Sequence, residues 1–163
     1  MLLGMISDTH DRLEVIDRAV RFFNEQGVGL VAHAGDWCAP FALLRFMSLK
    51  ARLKGVFGNV DGERGKLSEN ASKLGFELAD LVEFESDGVR CVVIHGADER
   101  VVNALAKCGD YGLIIRGHRH EQLSQTIGSC LVVNPGEACG YLTGASTAAT
   151  LDTATMKVQF HKL

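Results

Sequence analysis

Short apolar runs that stop abruptly at polar residues fill the first two thirds of the chain. Leu2–Ile6 stops at Ser7-Asp8, 29–34 at Gly35-Asp36, 53–57 at Gly58-Asn59, 91–94 at His95-Gly96, and 112–115 just before Gly117-His118. Runs of this length, bounded by turn residues, predict strands buried on both faces. Helical patterns lie between them. Leu13, Ile16, Ala19, Val20 and Phe23 recur at helical spacing, with Gly27 as the stop. Asp11 and Glu14 suggest a variant of the capping box at the start of that helix. Pro40 can open a second helix over 41–50. Weaker patterns predict helices over 62–74 and 98–108, closed by Gly75 and Gly109. Strands alternating with helices predict βαβ units and a parallel sheet.

The later part of the chain changes character. Segments 78–85 and Val89–Ile94 flank Ser86-Asp87-Gly88, Gln122–Ile127 and 130–133 flank Gly128-Ser129, and 148–152 and 156–161 flank a turn near Thr153. These are hairpin signals and predict antiparallel pairs. The combined expectation is a mixed α/β architecture of two sheets packed face to face with helices outside.

At 163 residues the chain suits one compact domain spanning 1–163. Apolar residues make up 47% and charged residues 23%, the balance of a globular protein with a core rather than of a disordered one. No apolar stretch is long enough to span a membrane, and the first residues lack a basic, apolar leader, so the cytoplasm is the expected compartment. The net charge is −3, from 17 basic and 20 acidic residues, which disfavours a nucleic-acid partner bound through its phosphates. Cys38, Cys91, Cys108, Cys130 and Cys139 form no CxxC pair and read as reduced, mostly buried thiols.

The chemistry gathers at the ends of the apolar runs. Asp8-Thr9-His10, Gly35-Asp36, Gly58-Asn59-Val60-Asp61, His95-Gly96 and Gly117-His118-Arg119-His120 all stand at carboxyl ends, the edge of an α/β sheet where ligands bind. Asp8 with His10, and His118 with His120, are i, i+2 pairs that an extended backbone would point the same way. Asp, Asn and His donors suit Mn, Fe, Zn, Ni or Co. Asp8, His10, Asp36, Asn59, His95, His118 and His120 exceed the needs of one ion and suffice for two sharing a carboxylate. Two ions about 3.5–4 Å apart can clamp a phosphoryl group and make hydroxide available near neutral pH. Asp8 and Asp36 cancel only two of the four charges that two divalent ions bring, so such a site stays positive and attracts a phosphate ester. His33, inside an apolar run, and His161, near the chain end, read as structural. Asp61 reads as a brace for its loop.

In that order these motifs resemble the calcineurin-like metallophosphoesterases, and the short length with Asn134-Pro135-Gly136 resembles their small prokaryotic phosphodiesterase branch, the YfcE type. The resemblance runs from Met1 to about Gly140. It implies a four-layer α-β-β-α sandwich and a cytoplasmic hydrolase that cleaves a small phosphodiester with a hydroxide activated by a binuclear metal centre, manganese being the first expectation among the five metals. It implies that Asp8, His10 and His120 hold the first metal, that Asn59, His95 and His118 hold the second, and that Asp36 bridges them, with His118 near the substrate. Asn59 is also a candidate substrate contact. Arg119 is a weaker one, since a surface arginine is the plainer reading. Val60 departs from the family, whose histidine or cysteine at that position can serve the leaving group or phosphate as valine cannot. Two alternatives are a non-catalytic scaffold of the same fold, like the retromer subunit, and a metal-dependent nuclease. All seven ligand positions are filled, which favours catalysis over the scaffold. The strand over 156–162 is a candidate edge for pairing with a second copy.

Overall fold

The computed structural model describes residues 1–163. In chain order the elements are β1 (Leu2–Ile6), α1 (Leu13–Gln26), β2 (Leu30–His33), α2 (Pro40–Leu43), β3 (Arg52–Val56), α3 (Arg64–Lys73), β4 (Leu78–Ala79), β5 (Leu81–Ser86), β6 (Val89–Ile94), α4 (Glu99–Lys107), β7 (Leu113–Ile115), β8 (Gln122–Ile127), β9 (Cys130–Pro135), β10 (Thr147–Asp152) and β11 (Lys157–Lys162). No helix is long and apolar enough to cross a membrane.

The strands form two mixed sheets, ordered β11-β10-β1-β2-β3-β4 and β5-β6-β7-β9-β8. Strands β1, β2, β3 and β4 run parallel, as do β6, β7 and β9, while β10, β11, β5 and β8 join antiparallel. Alternation along each strand builds the layers. Leu3 and Met5 of β1 meet Cys91 and Val93 of β6 in the core between the sheets. Ile6 faces outward onto Val15, Ala19 and Phe23 of α1. Val92 and Ile94 face outward the other way, onto Val102 and Ala106 of α4. The result is the expected four-layer α-β-β-α sandwich. All the parallel strands deliver their carboxyl ends to one side.

Local differences from expectation have physical causes. The helix expected over 41–50 is α2 followed by a 3-10 turn at Leu44–Ser48. Three residues per turn set Leu43, Phe46 and Leu49 on one face, against the cluster around Trp37. Asp11 is not the N-cap of α1. Arg12 holds that position, and the Asp11 carboxylate instead accepts from the Ala39 N–H at 2.5 Å, tying two loops together. The strand expected over 78–85 is two strands: β4 pairs with β3, the chain crosses at Asp80, and β5 pairs with β6 in the other sheet. Helices α3 and α4 and the hairpins at β8–β9 and β10–β11 lie within a few residues of their expected ranges, and Asp98 caps α4 by accepting from the Arg100 N–H. Cys91, Cys130 and Cys139 are buried, Cys38 is partly so and Cys108 is exposed, all as free thiols.

Helix α1 lies very close to β1. A Cβ on Gly4 would stand 2.8 Å from the Phe23 ring, which is itself fully buried. Gly4→Val therefore forces the helix outward, and overpacking of this kind costs about 1–3 kcal/mol. Urea denaturation should show a lowered midpoint with an unchanged slope. An unchanged midpoint would mean that the Phe23 ring swings aside without loss.

Candidate metal centre

The loops leaving β1, β2, β3, β6 and β7 bring Asp8, His10, Asp36, Asn59, His95, His118 and His120 to one place. His10 Nε2 stands 3.9 Å from Asp8 Oδ1 and 3.6 Å from Asp36 Oδ2. His120 Nε2 is 3.4 Å from Asp8 Oδ1. Asp8, His10, Asp36 and His120 each offer one ligand atom, all within 4.8 Å of one another. On the far side of Asp36, His95 Nε2 is 3.4 Å from Oδ2. Asn59 Oδ1 then lies 2.7 Å from His95 Nε2 and 2.8 Å from His118 Nδ1.

The loops are contorted to achieve this. Asp8, His10, Asp36, His118 and His120 all have positive φ, between 39° and 70°. Non-glycine residues pay of order 1–3 kcal/mol each for such strained backbone, which clusters at functional sites. Hence the i, i+2 pairs do not converge through an extended backbone. His118 and His120 in fact separate, one toward Asn59 and the other toward Asp8. The backbone crowds closely here as well. A Cβ on Gly58 would fall 2.0 Å from Asp36 Oδ1, and one on Gly117 would fall 1.9 Å from Ser7 Oγ. These two glycines let the chain pass beside the carboxylates.

The hydrogen-bond pattern leaves lone pairs facing one another. The His95 Nδ1–H donates to the Ala34 carbonyl at 2.7 Å, so in the neutral ring the Nε2 lone pair faces Asp36 and Asn59. The His120 Nδ1–H donates to Glu137 Oε2 at 2.6 Å, so its Nε2 lone pair faces Asp8. A carboxylate behind a histidine is the arrangement that orients imidazole toward a metal. Asp8 Oδ1 and His10 Nε2 are buried and have no hydrogen-bond partner. Burial pushes the Asp8 carboxyl above its ordinary pKa, against the pull of His95 and His120. Burial also opposes ionisation of Asp36, but a protonated His95, whose Nε2–H would point at it, and the Val60 N–H hold its carboxyl below the ordinary value. Unpartnered buried acceptors are costly unless a cation joins them, and the nitrogen and oxygen donors suit a divalent transition metal.

The sequence matches the model of the calcineurin-like phosphoesterase superfamily domain over residues 1–156. The chain belongs to that superfamily. It is 39% identical over 155 residues to phosphodiesterase MJ0936 of Methanocaldococcus jannaschii, covering 94% of this chain and 93% of the relative. A solved archaeal phosphodiesterase superposes with a TM-score of 0.96 at 37% identity, with 100% of both chains covered. Vacuolar protein sorting 29 of Cryptosporidium parvum shares the fold at a TM-score of 0.74 and 14% identity, over 99% of this chain and 97% of that one. The superfamily fold thus carries more than one kind of work, and the site has to decide between them.

Other residues of the sequence reading fall into place around the cluster. Asp61 braces its loop: its carboxylate accepts from the N–H groups of Gly58 (2.7 Å), Cys38 (2.7 Å) and Asp36 (3.2 Å). Arg119 pairs with Glu99 at 3.4 Å and Glu121 at 3.9 Å, and does not line the donors' cavity. Val60 does line it, and its N–H donates to Asp36 Oδ1 at 3.1 Å. His161 bonds Thr150 at 2.9 Å. Glu137 was not anticipated. It follows Asn134-Pro135-Gly136 at the end of β9, a sixth polar signature at a strand end. Burial opposes its ionisation, yet the hydrogen bonds from His120 and Thr143 bring it down to about 2. A mainly apolar hollow of about 860 Å³, bounded by Phe46, Met47, Leu74 and Phe76, contains none of these donors.

His33 is fully buried and structural. Its Nδ1 accepts from the Gly35 N–H (3.2 Å), its Nε2 faces Thr9 Oγ1 (3.2 Å), and its ring stacks on Trp37 with centroids 3.4 Å apart. Burial holds it well below the ordinary imidazole pKa, although Asp36 pulls the other way. The unfolded chain binds a proton at His33 below about pH 6.5, whereas the folded chain does not until a lower pH. Folding stability is therefore complete above that pH and falls as the pH drops, by up to about 1.4 kcal/mol per pH unit. In chelator, urea midpoints from pH 7 to pH 5 should fall less steeply in His33→Gln than in the parent. Equal slopes would show that His33 is protonated in the fold.

Proposed function

We propose that the chain is a metal-dependent phosphodiesterase that hydrolyses a small phosphodiester at a centre of two divalent ions. The observation that carries this reading is the convergence of seven donor side chains from five strand ends on one cluster, with the Nε2 atoms of His10, His95 and His120 aimed at carboxylate oxygens. Asp8, His10 and His120 hold one ion in this reading, and Asn59, His95 and His118 hold the other. Asp36 would bridge them, since its Oδ2 approaches both His10 and His95. Manganese is the expected metal; nickel, iron, zinc and cobalt accept the same donors. When bound, such ions supply Lewis acidity, offsetting charge on the phosphoryl group and making water a stronger acid.

The chain's own contribution is positioning. Glu137 fixes the ring of His120, the Ala34 carbonyl fixes His95, and the Val60 N–H steadies Asp36. Asn59 and His118 line the cavity and would also contact the phosphate. The net charge of −3 favours a small ester over a nucleic acid. A scaffold role needs neither buried unpartnered donors nor five strained ligand positions. A single domain, a cytoplasmic location and pairing of two copies along the open edge of β11 belong to the same reading.

Elemental analysis of manganese-treated protein should find about two ions per chain. Asp8→Asn removes a donor from one ion and should retain about one. Asp36→Asn weakens both, and should cut turnover of bis(4-nitrophenyl) phosphate more than Asp8→Asn does, on the order of 10²–10³-fold. Wild-type turnover by Asp36→Asn at saturating manganese would end the bridging assignment.

Val60 offers no proton to a departing oxygen, and a positioned acid contributes typically ~10²–10⁴-fold. Neither Asp61 nor His33 lines the cavity. Rates should therefore depend steeply on leaving-group pKa, with aryl esters far ahead of alkyl esters, and Val60→His should flatten the slope. A shallow slope in the parent protein, with chemistry rate-limiting, would mean that another group donates the proton.

A further inference from the structure

The cavity lined by His10, Asp36, Asn59, His118 and His120, about 510 Å³, also has an apolar wall. Val60, Tyr141 and Leu142 line it, and they are 46%, 61% and 76% exposed. Scattered exposed apolar residues are ordinary. Here three line one polar site, the pattern of a ligand pocket with apolar lining.

This wall is fastened to the donors. Leu142 N–H (3.0 Å), Thr143 N–H (2.5 Å) and Thr143 Oγ1 (2.7 Å) donate to Glu137 Oε1, while Glu137 Oε2 holds His120. Arg12 donates to the Cys139 carbonyl, and its guanidinium lies 5.5 Å from the centre of the Tyr141 ring. The Val60 backbone is bonded to Asp36. One carboxylate thus orients a donor histidine and anchors the apolar turn beside it. The turn is preorganised relative to the donors, which lowers the entropy cost of binding against it.

Resting on the phosphodiesterase reading above, we propose that Tyr141, with Leu142 and Val60, forms a specificity subsite for an aromatic ring carried by one ester group of the substrate. A ring on the Tyr141 face covers exposed apolar area and gains the offset or edge-on contacts that aromatic pairs favour, which a methyl group cannot make. Phosphate recognition alone would leave this wall in water.

Calorimetric binding to manganese-loaded protein tests the subsite without turnover. Phenylphosphonate should bind about tenfold more tightly than methylphosphonate or cyclohexylphosphonate, and Tyr141→Ala should bring the three within about twofold, while Tyr141→Phe keeps the preference. Equal binding of the three by the parent protein, or a preference untouched by Tyr141→Ala, overturns the proposal. Thymidine 5′-phosphate, compared with methyl phosphate, separates two sources of the ring. A tenfold preference assigns a nucleobase, and no preference assigns a ring joined close to the ester oxygen. Turnover of bis(4-nitrophenyl) phosphate separates the two levels of the argument. Hydrolysis with no phenyl preference removes the subsite alone. A phenyl preference with no hydrolysis keeps the subsite and removes the phosphodiesterase reading.

Discussion

Donor atoms crowded around the buried Asp8, Asp36 and His95 are the constraint around which the rest of the molecule is arranged. Asp36 Oδ2 lies 3.6 Å from His10 Nε2 and 3.4 Å from His95 Nε2, so one carboxylate oxygen links donors from both sheets. Such a cluster repels itself until a cation enters it, and the surrounding chain must hold it together meanwhile. The two sheets do so by closing over a shared apolar core of Leu3, Met5, Ala32, Val93 and Ile115, which fixes the strand ends from which every donor projects.

The support behind the donors is itself polar and fully engaged. Asp61 spends its carboxylate on three backbone N–H groups of the Asp36 and Asn59 loops. Glu137 gathers His120 and the turn at Leu142 and Thr143. Asn134 donates to the Gly117 carbonyl at 2.9 Å, and so pins the loop that carries His118. These bonds, with those that the Asp8 and His10 N–H groups donate to the carbonyls of Gly35 and Asp36, are the plain physical reason that five donor residues can persist in left-handed backbone.

Fold and chemistry separate cleanly here. The sandwich is shared with a phosphodiesterase and with a vacuolar protein sorting 29, so its layers say little about work done. What the sandwich carries here is a donor set, five of whose seven members line the cavity, and an apolar trio that lines it too. Val60 belongs to both, since its backbone steadies Asp36 and its side chain faces the cavity. A valine there trades a proton donor for apolar surface.

Much of this is legible in residue order alone. Periodicity carried the strands, the hairpins, helix α1 and the two-sheet plan, because burial of alternate or i, i+3/i+4 residues leaves a direct trace in residue order. Polar residues at the ends of apolar runs marked all seven donors, because a parallel sheet presents its strand ends on one side. Residue order could not show the way those donors meet. His118 and His120 part because their backbone turns left-handed, and that conformation is held by tertiary hydrogen bonds rather than local preference. Asp11 gave up a cap for a bond to Ala39, and the run over 78–85 divided between two sheets, each choice made by a distant partner. Glu137 escaped notice for the same reason: its meaning lies in His120 and Thr143, which reach it only when the chain has folded.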